Sequence, residues 1–179
     1  VNYLQACLDK TNEEIFEKAR RYEENKGMAT TAAIVYIKGG KAYIANVGDS
    51  RVYLYRNGEL VQLTEDHTYV NTLLNAGIIS QEQAAVDERK NVITKALGAE
   101  DTVEPDFFQL EIVKNDILIL CTDGLYDEVD ERSMKTILEK DISMSDVCAE
   151  MVDAANKNGG HDNITIISIK VTEEDVDEQ

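Results

Sequence analysis

The stretch DILILCTDGLYD, residues 116–127, joins a continuous aliphatic run to an acidic turn that contains a glycine. The run Ile117–Leu120 predicts a strand covered on both faces, because an exposed face would bring alternating polar residues. Asp123 stands at the end of this strand, where a carboxylate is costly to desolvate unless a positive charge meets it. Gly124 then lets backbone or ligand come close. We expect this stretch to be the centre of the fold and a functional site.

The same pattern, an aspartate beside a glycine or polar turn at the edge of an apolar strand, occurs twice more. Residues 42–47 run towards Asp49, and the turn 159–163 carries Asp162 into the apolar segment 164–169. Three carboxylates brought to one place would offer oxygen-only ligation, which selects Mg²⁺ or Mn²⁺ over zinc. The alternative is that each aspartate caps a turn, since Asp is a preferred turn residue.

Composition narrows the class of protein. With 179 residues, 43% of them hydrophobic, we expect residues 1–179 to form a single domain with a sizeable core. The net charge of −17, from 18 basic and 35 acidic residues, argues against nucleic acid and anionic membranes as partners. Three cysteines without metal-ligand spacing favour reduced thiols in the cytoplasm, with Cys121 packed in the core. The sequence begins with Val1 instead of methionine, and no signal-peptide pattern follows. We therefore expect the chain to begin within a longer coding sequence.

Apolar periodicity predicts the fold class. Residues 3–25 are typical of an amphipathic helix that Asn2 caps and Gly27 ends. Two tight turns, at 38–41 and at Asn57-Gly58, are typical of β-hairpins. Successive hairpins indicate antiparallel pairing, so with helices before and after them we expect an α+β layered sandwich. The strands that these hairpins join are 30–37, 42–47, 51–55 and 60–63.

Residues 64–90 form a polar, charged insertion between sheet strands. Within it we expect a short helix at Tyr69–Asn75 and a second that Ser80 begins, because Gln83 completes a capping box. A polar excursion that starts close to Asp49 in the chain is where a mobile flap over a site is expected. Structural decoration is the alternative.

The last third of the chain predicts a hairpin, two helices and a final strand. The final strand is expected at the centre of a sheet, because its residues are apolar on both faces. The second helix has Ser143 or Ser145 as its cap. The segments are a hairpin of 107–112 with 116–120 across Lys114-Asn115, helices 131–139 and 145–157, the strand 164–171, and a frayed acidic end 173–179.

Side-chain nucleophiles are poorly supported. The chain has no Gly-x-Ser-x-Gly elbow, and its two histidines, His67 and His161, fall in predicted loops. His67 is either an acid or base in the flap or a surface or hydrogen-bonded loop residue. An aspartyl nucleophile of the haloacid dehalogenase type needs a second aspartate where Leu125 stands after Asp123. With carboxylates, hard metals and no side-chain nucleophile, the remaining reaction class is metal-assisted hydrolysis, and a phosphoester is the substrate that fits it best.

Six motifs follow one another along nearly the whole chain: GMATTA (27–32), VGDSR (47–51), LTEDH (63–67), ITKALG (93–98), LCTDGL (120–125) and GHDNIT (160–165). In this order they resemble the motifs of the metal-dependent protein phosphatases of type 2C. The version in this chain is similar to that of the bacterial serine/threonine phosphatases that oppose eukaryotic-type kinases.

This resemblance implies a sandwich of two antiparallel sheets flanked by helices, with two Mn²⁺ or Mg²⁺ ions at its edge. It implies that Asp123 and Asp162 are ligands of the binuclear centre, and that Asp49 joins Asp123 at a third, weaker metal position. Arg51 is expected to fix the Asp49 loop by a charged hydrogen bond. Phosphorylated proteins are the implied substrates, with a cognate serine/threonine kinase. The residues expected to support the site are Gly48, Arg51, Gly124, Gly160 and Asn163.

The chain also departs from the family pattern. That pattern begins earlier, with a phosphate-binding arginine, a Glu-Asp pair and an Asp-Gly-Met-Gly-Gly turn. The aspartate of this turn bridges both metals, and the turn is followed by a histidine that is proposed as the general acid. None of these stands in the 179 residues, which lack the corresponding N-terminal strands. We therefore expect weak binding of one or two metals, no catalytic residue beyond the metal ligands, and little or no activity. The alternatives are a non-catalytic module that binds phosphoproteins or partners and the ordered part of a cleaved protein. We expect the isolated chain to self-associate or re-pair its strands through exposed sheet edges.

Overall fold

The structure, a computed structural model, describes residues 1–177. The chain forms two compact units, which are described separately. The first contains Val1–Ile34, Ala45–Asp49 and Glu65–Phe107, and the second contains Val35–Ile44, Ser50–Thr64 and the chain from Phe108 onward. The elements are α1 (Asn2–Arg21), β1 (Ala32–Lys38), β2 (Lys41–Val47), β3 (Arg51–Arg56), β4 (Glu59–Gln62), α2 (Tyr69–Asn75), α3 (Gln81–Val86), β5 (Asp106–Glu111), β6 (Ile117–Cys121), α4 (Asp123–Tyr126), α5 (Glu131–Leu138), α6 (Met144–Asn158), β7 (Ile166–Lys170) and α7 (Glu173–Asp177).

The strands form two sheets. One has the order β1-β2-β5 and the other the order β4-β3-β6-β7. In the second sheet β6 pairs antiparallel with β3 on one side and with β7 on the other. The prediction of an α+β fold with two antiparallel sheets and flanking helices is confirmed.

Strand β6 is the buried strand that its aliphatic run predicts. All five of its residues are buried, because neighbours on both edges satisfy its backbone while side chains cover both faces. Ile117, Ile119 and Cys121 share one face and pack into a core with Leu125 and residues of α5 and α6. Cys121 is 4% exposed, as expected for a packed core thiol.

Both predicted hairpin turns are present. Gly39 and Gly40 have φ of 56° and 67°, and Asn57 and Gly58 have φ of 53° and 79°. Two consecutive residues with positive φ are typical of the turn that matches the twist of paired strands. The turn residues therefore determined these connections locally.

The predicted hairpin across Lys114-Asn115 is wrong, because β5 and β6 belong to different sheets. The backbone on both sides of the turn bonds elsewhere: Asn115 N–H donates to Val171 O at 3.0 Å, and Val171 N–H donates to Asp116 O at 2.8 Å. Asp116 is 1% exposed and accepts from Arg56 Nη2 at 2.6 Å. The start of β6 therefore lies beside the end of β7, where Ile117 pairs with Lys170.

The prediction that the last strand is central is also wrong. β7 ends the order β4-β3-β6-β7, so it is an edge strand, and it is shorter than the predicted segment 164–171. Ile167 faces outward and is 53% exposed. Apolar residues on both faces suggested two covered faces, but none of the five residues of β7 is fully buried.

Helix α1 ends earlier than predicted and has a different start. It runs Asn2–Arg21 with Val1 as N-cap and no side-chain cap, so Asn2 is not its cap, and a 3₁₀ turn at Glu23–Asn25 follows. Asn12 is buried on this helix, where its side chain accepts from Gly98 N–H at 2.8 Å and donates to Glu100 O at 3.1 Å. This long-range polar anchor was not predicted.

The shorter helices follow their caps. The predicted capping box of Ser80 and Gln83 begins α3, and α2 has the predicted bounds Tyr69–Asn75. Ser143 caps α6 by accepting from Asp146 N–H at 3.1 Å. The frayed end predicted for 173–179 is wrong over Glu173–Asp177, which is helical, and residues 178–179 lie outside the described residues. No helix within residues 1–177 is long and apolar enough to cross a membrane.

Candidate metal centre

Two turns of the second unit stack on each other at the end of β6. Thr122 N–H donates to Thr165 O at 3.2 Å, and Thr165 N–H donates to Thr122 Oγ1 at 3.1 Å. The Thr122 hydroxyl in turn donates to Asn163 O at 3.2 Å. One threonine therefore joins the turn that carries Asp123 to the turn that carries Asp162.

Gly124 makes this stacking possible. A Cβ at this position would lie 2.4 Å from Asn163 O and 2.9 Å from Asn163 C, both backbone atoms that cannot swing away. The sequence indicated a close approach at Gly124, and the approaching group is the backbone of the Asp162 turn. The absence of a side chain at residue 124 thus sets the separation of the two turns.

Asp123 opens the short helix α4 and is half-buried. Its Oδ1 accepts from Gly124 N–H at 2.9 Å. Burial raises the pKa of the Asp123 carboxyl, and the nearby carboxylates of Asp162 and Asp127 raise it further, against the effect of the Gly124 hydrogen bond. The second unit therefore places Asp162 close enough to Asp123 for mutual repulsion.

Asp162 is exposed, and the local turn orients it. Its Oδ1 accepts from Asn163 N–H at 2.6 Å. Gly160, with φ of 57°, lets the chain leave α6, and its N–H donates to Ala155 O at 3.1 Å. His161 Nδ1 lies 2.6 Å from Glu128 Oε1, so the second histidine holds the turn to the loop after α4.

The oxygen ligands that Asp123 and Asp162 offer can be compared with the ligands that a metal ion prefers. Asp123 and Asp162 offer carboxylate oxygens, the ligands that Mg²⁺ and Mn²⁺ prefer, and their repulsion is what a dication relieves. Within residues 1–177, however, no three or more His, Cys, Asp or Glu side chains lie close enough together to hold a metal ion. The chemistry of these two carboxylates therefore fits a hard cation.

Arg51 is placed against two tyrosines. Its Nη1 donates to Tyr53 Oη at 3.0 Å, and its guanidinium carbon lies 3.5 Å from the centre of the Tyr126 ring. Burial raises the pKa of the Tyr53 hydroxyl, against the effect of Arg51. Since Tyr126 ends the helical turn that Asp123 begins, Arg51 contacts that turn through the Tyr126 ring. That Arg51 also fixes the Asp49 loop stays a prediction.

Asp49 lies in the first unit, on a buried turn, and is 6% exposed. Gly48 before it has φ of 103°, and a Cβ there would lie 2.3 Å from Thr31 Cγ2. Gly48 N–H donates to His67 Nδ1 at 3.1 Å. His67 is buried rather than on the surface, and the spacing of 19 residues gave no signal for its contact with Gly48.

Comparison with known proteins shows the family to which this chain is related. The family model described as Protein phosphatase 2C matches residues 2–73. The serine/threonine phosphatase stp of Listeria innocua is 40% identical over 168 residues, which are 94% of this chain and 67% of that protein. The crystal structure of serine/threonine phosphatase Stp1 from Staphylococcus aureus superposes with a TM-score of 0.91 at 34% identity, over 95% of this chain and 67% of that one.

A third comparison concerns metal. The catalytic domain of the serine threonine protein phosphatase PstP, solved in complex with two manganese ions, superposes with a TM-score of 0.85 at 31% identity, over 95% of this chain and 70% of that one. The chain spans about two thirds of the length of the stp and Stp1 proteins that it matches.

Proposed function

This chain belongs to the protein phosphatase 2C family, and we propose that it carries the Asp123 and Asp162 part of a metal-dependent protein serine/threonine phosphatase. The observation that carries the proposal is the pair of stacked turns that brings these two carboxylates together. The named activity of the Listeria relative, at 40% identity over most of the chain, supports the same reaction class. The substrates are phosphoserine and phosphothreonine side chains of proteins.

In this proposal Asp123 and Asp162 hold divalent cations, Mn²⁺ or Mg²⁺. The two manganese ions bound to PstP support that assignment. The chemistry that such ions supply is a water nucleophile at neutral pH and neutralisation of charge on the phosphoryl group. The role of Asp49 at a third, weaker metal position stays a prediction.

The residues around the pair orient the carboxylates. Gly124 N–H and Asn163 N–H each donate to Oδ1 of the neighbouring aspartate, and in this proposal Oδ2 of each carboxylate binds the cation. Gly160 and Thr122 set the backbone of the two turns, and Arg51 braces Asp123 through Tyr126. Orientation by surrounding hydrogen bonds is how proteins tune metal ligands.

We further propose that the 179 residues alone bind metal weakly and have little or no phosphatase activity. Two close carboxylates are fewer ligands than a two-ion centre needs, since two dications without a bridging anion repel each other. The alternative is a non-catalytic module that binds phosphoproteins, which the incomplete ligand set among residues 1–177 favours. Activity that this chain already has would contradict the weak-binding proposal.

Partners, domain organisation and location complete the proposal. A cognate serine/threonine kinase would supply the phosphoproteins, residues 1–179 would form a single, truncated phosphatase-like catalytic domain, and the insertion 64–90 would serve as its flap. None of the three cysteines, all within residues 1–177, forms a disulfide, which supports a cytoplasmic location. Self-association is proposed through the exposed edge of β7, where Ile167 is 53% exposed, and a monomeric mass in solution would argue against it.

The experiment is Mn²⁺-dependent hydrolysis of a phosphothreonine peptide, by this chain and by a chain extended with its upstream coding sequence. Asp123→Asn should abolish activity in whichever chain is active, and Asp153→Asn, on the exposed side of α6, is the matched control. Activity in the extended chain alone supports the proposal. Inactivity of both chains, with retained binding of the phosphopeptide, favours the non-catalytic module.

A further inference from the structure

His67 makes two contacts with the same glycine of the Asp49 turn. Gly48 N–H donates to the imidazole Nδ1 at 3.1 Å, and the His67 backbone N–H donates to Gly48 O at 3.0 Å. We name these two hydrogen bonds the Gly48–His67 clasp. His67 is 7% exposed, so both bonds form where water competes little.

The clasp belongs to a larger set of bonds between the turn and the start of the insertion. Asn46 Nδ2 donates to Gly48 O at 3.2 Å and to Glu65 O at 3.1 Å. On the other side, Thr94 N–H donates to His67 O at 2.7 Å. The segment that contains His67 is therefore held between the Asp49 turn and the chain that leaves the insertion.

The geometry selects one form of the imidazole. Because Gly48 N–H points at Nδ1, this nitrogen must present its lone pair, and the proton of the neutral ring lies on Nε2. Nε2 lies 3.2 Å from Asp106 Oδ2, so a proton on Nε2 faces a carboxylate oxygen, although its N–H is not aligned for a hydrogen bond. Asp106 is also 3.4 Å from Lys95 Nζ. Asp106 thus favours the form of His67 that the clasp requires.

The clasp matters because it restrains Gly48, and glycine is the residue with the widest backbone freedom. Its φ of 103° lies in the region that favours glycine, and a Cβ would strike Thr31, so no side chain at position 48 can restrain the turn. Ordering a glycine costs more conformational entropy than ordering any other residue. Two hydrogen bonds from one residue remove that freedom directly before Asp49.

We infer that His67 is a positioning residue, which holds the turn carrying Asp49 and couples its conformation to the start of the insertion 64–90. The coupling to metal rests on the proposed function, in which Asp49 is a metal ligand. His67 acts through Gly48 and needs no contact with metal or substrate. The sequence left two interpretations of His67 open, an acid or base in the flap and a surface or hydrogen-bonded loop residue; His67 is hydrogen-bonded, and the inference adds a role to that contact.

Two substitutions separate the contacts of the ring. In His67→Asn, the amide oxygen takes the place of Nδ1 and still accepts from Gly48 N–H, while the contact with Asp106 is lost. In His67→Gln, the amide reaches the place of Nε2, and the acceptor for Gly48 is lost. If the role of His67 were purely structural, both substitutions would loosen the Asp49 turn to the same extent.

The measurement is amide hydrogen exchange of Gly48 by NMR, with Thr94 as internal control, because its bond to the His67 backbone survives both changes. We expect exchange at Gly48 to become about tenfold faster in His67→Gln, to stay near wild type in His67→Asn, and to stay unchanged at Thr94 in both. Unchanged exchange at Gly48 in His67→Gln overturns the inference. Faster exchange at Gly48 and Thr94 together overturns it too, since that indicates general loosening.

A second readout separates the inference from the proposed function. Paramagnetic broadening of the Asp49 amide signal by added Mn²⁺ should weaken in His67→Gln and persist in His67→Asn. If exchange at Gly48 responds as expected while Mn²⁺ never broadens Asp49 even in wild type, the clasp is supported and the ligand role of Asp49 fails.

Discussion

The turn at Asp123 and the turn at Asp49 share one sequence pattern but are held by different contacts. The Asp123 turn rests on the backbone of a second turn, with Gly124 against Asn163 O. The Asp49 turn is held by the side chain of His67, which lies 19 positions away from Gly48. A glycine beside an aspartate therefore marks a constrained turn in both places, but it does not tell which part of the chain supplies the constraint.

The substitution that should separate the two turns most strongly is Gly124→Ala. Alanine normally favours a helical position, but here its Cβ would meet the Asn163 carbonyl at 2.4 Å, and backbone cannot give way cheaply. We expect a loss of about 3 kcal/mol in the free energy of unfolding, measured by urea denaturation.

The matched control is Gly58→Ala, which has φ of 79° but no atom within 4 Å of the added Cβ. Backbone strain alone should cost about 1 kcal/mol there. If the two alanine variants lose the same stability, the close contact between the turns is not what constrains Asp123.

A smaller effect should follow from Thr122→Val, which keeps the shape of the side chain and removes the hydroxyl that joins the turns. The hydroxyl donates to Asn163 O and accepts from Thr165 N–H, so its loss should cost about 1 kcal/mol. Thr122→Ser keeps both bonds and serves as control. Equal melting temperatures for the valine and serine variants would show that the Thr122 hydroxyl does not hold the two turns together.

The smallest expected effects have opposite signs in the two regions. Burial acts to raise the pKa of Asp106, but contact with His67 and Lys95 outweighs it and lowers that pKa below its usual range. Asp106 therefore contributes stability above the unfolded pKa, which is lost as the pH falls through the folded pKa. For a side chain that is 35% exposed, Asp106→Asn should cost less than about 1 kcal/mol at pH 7.

Asp123 should behave in the reverse way when metal is removed with EDTA. Burial and the carboxylates of Asp162 and Asp127 raise its folded pKa, so the ionised form destabilises the fold as the pH rises through the range between the unfolded and folded pKa. Asp123→Asn should then stabilise the metal-free chain slightly at neutral pH. Melting curves of Asp106→Asn and Asp123→Asn, each beside the unsubstituted chain, test both predictions at neutral pH and below about pH 4. Both differences in stability should fade in acid. Differences of the same sign at neutral pH would contradict the assigned environments.

Much of the fold follows from local signals in the sequence. The aliphatic run of β6, the two glycine turns and the caps Ser80 and Ser143 each act over a few residues, so each predicted its element. The errors concern pairing between distant strands. Nothing in the neighbourhood of Lys114 showed that the bonds of the following residues go to Val171, nor that β7 would have one neighbour rather than two.

The candidate site shows the same division. The repeated aspartate pattern singled out Asp123 and Asp162, and the structure places them on stacked turns. The contacts that fix the turns join residues 19 and 41 positions apart, namely Gly48 with His67 and Thr122 with Asn163. Periodicity and turn propensity describe neighbours along the chain, so contacts of this range remain invisible to them.

The most direct test of the central claim is Mn²⁺ titration of this chain followed by NMR, with paramagnetic broadening of backbone amides as the readout. We predict that broadening appears first at Gly124 and Asn163 and disappears in Asp123→Asn. Broadening that begins instead at exposed acidic residues such as Glu173, or that persists unchanged in Asp123→Asn, would contradict a metal site built on the Asp123 and Asp162 turns.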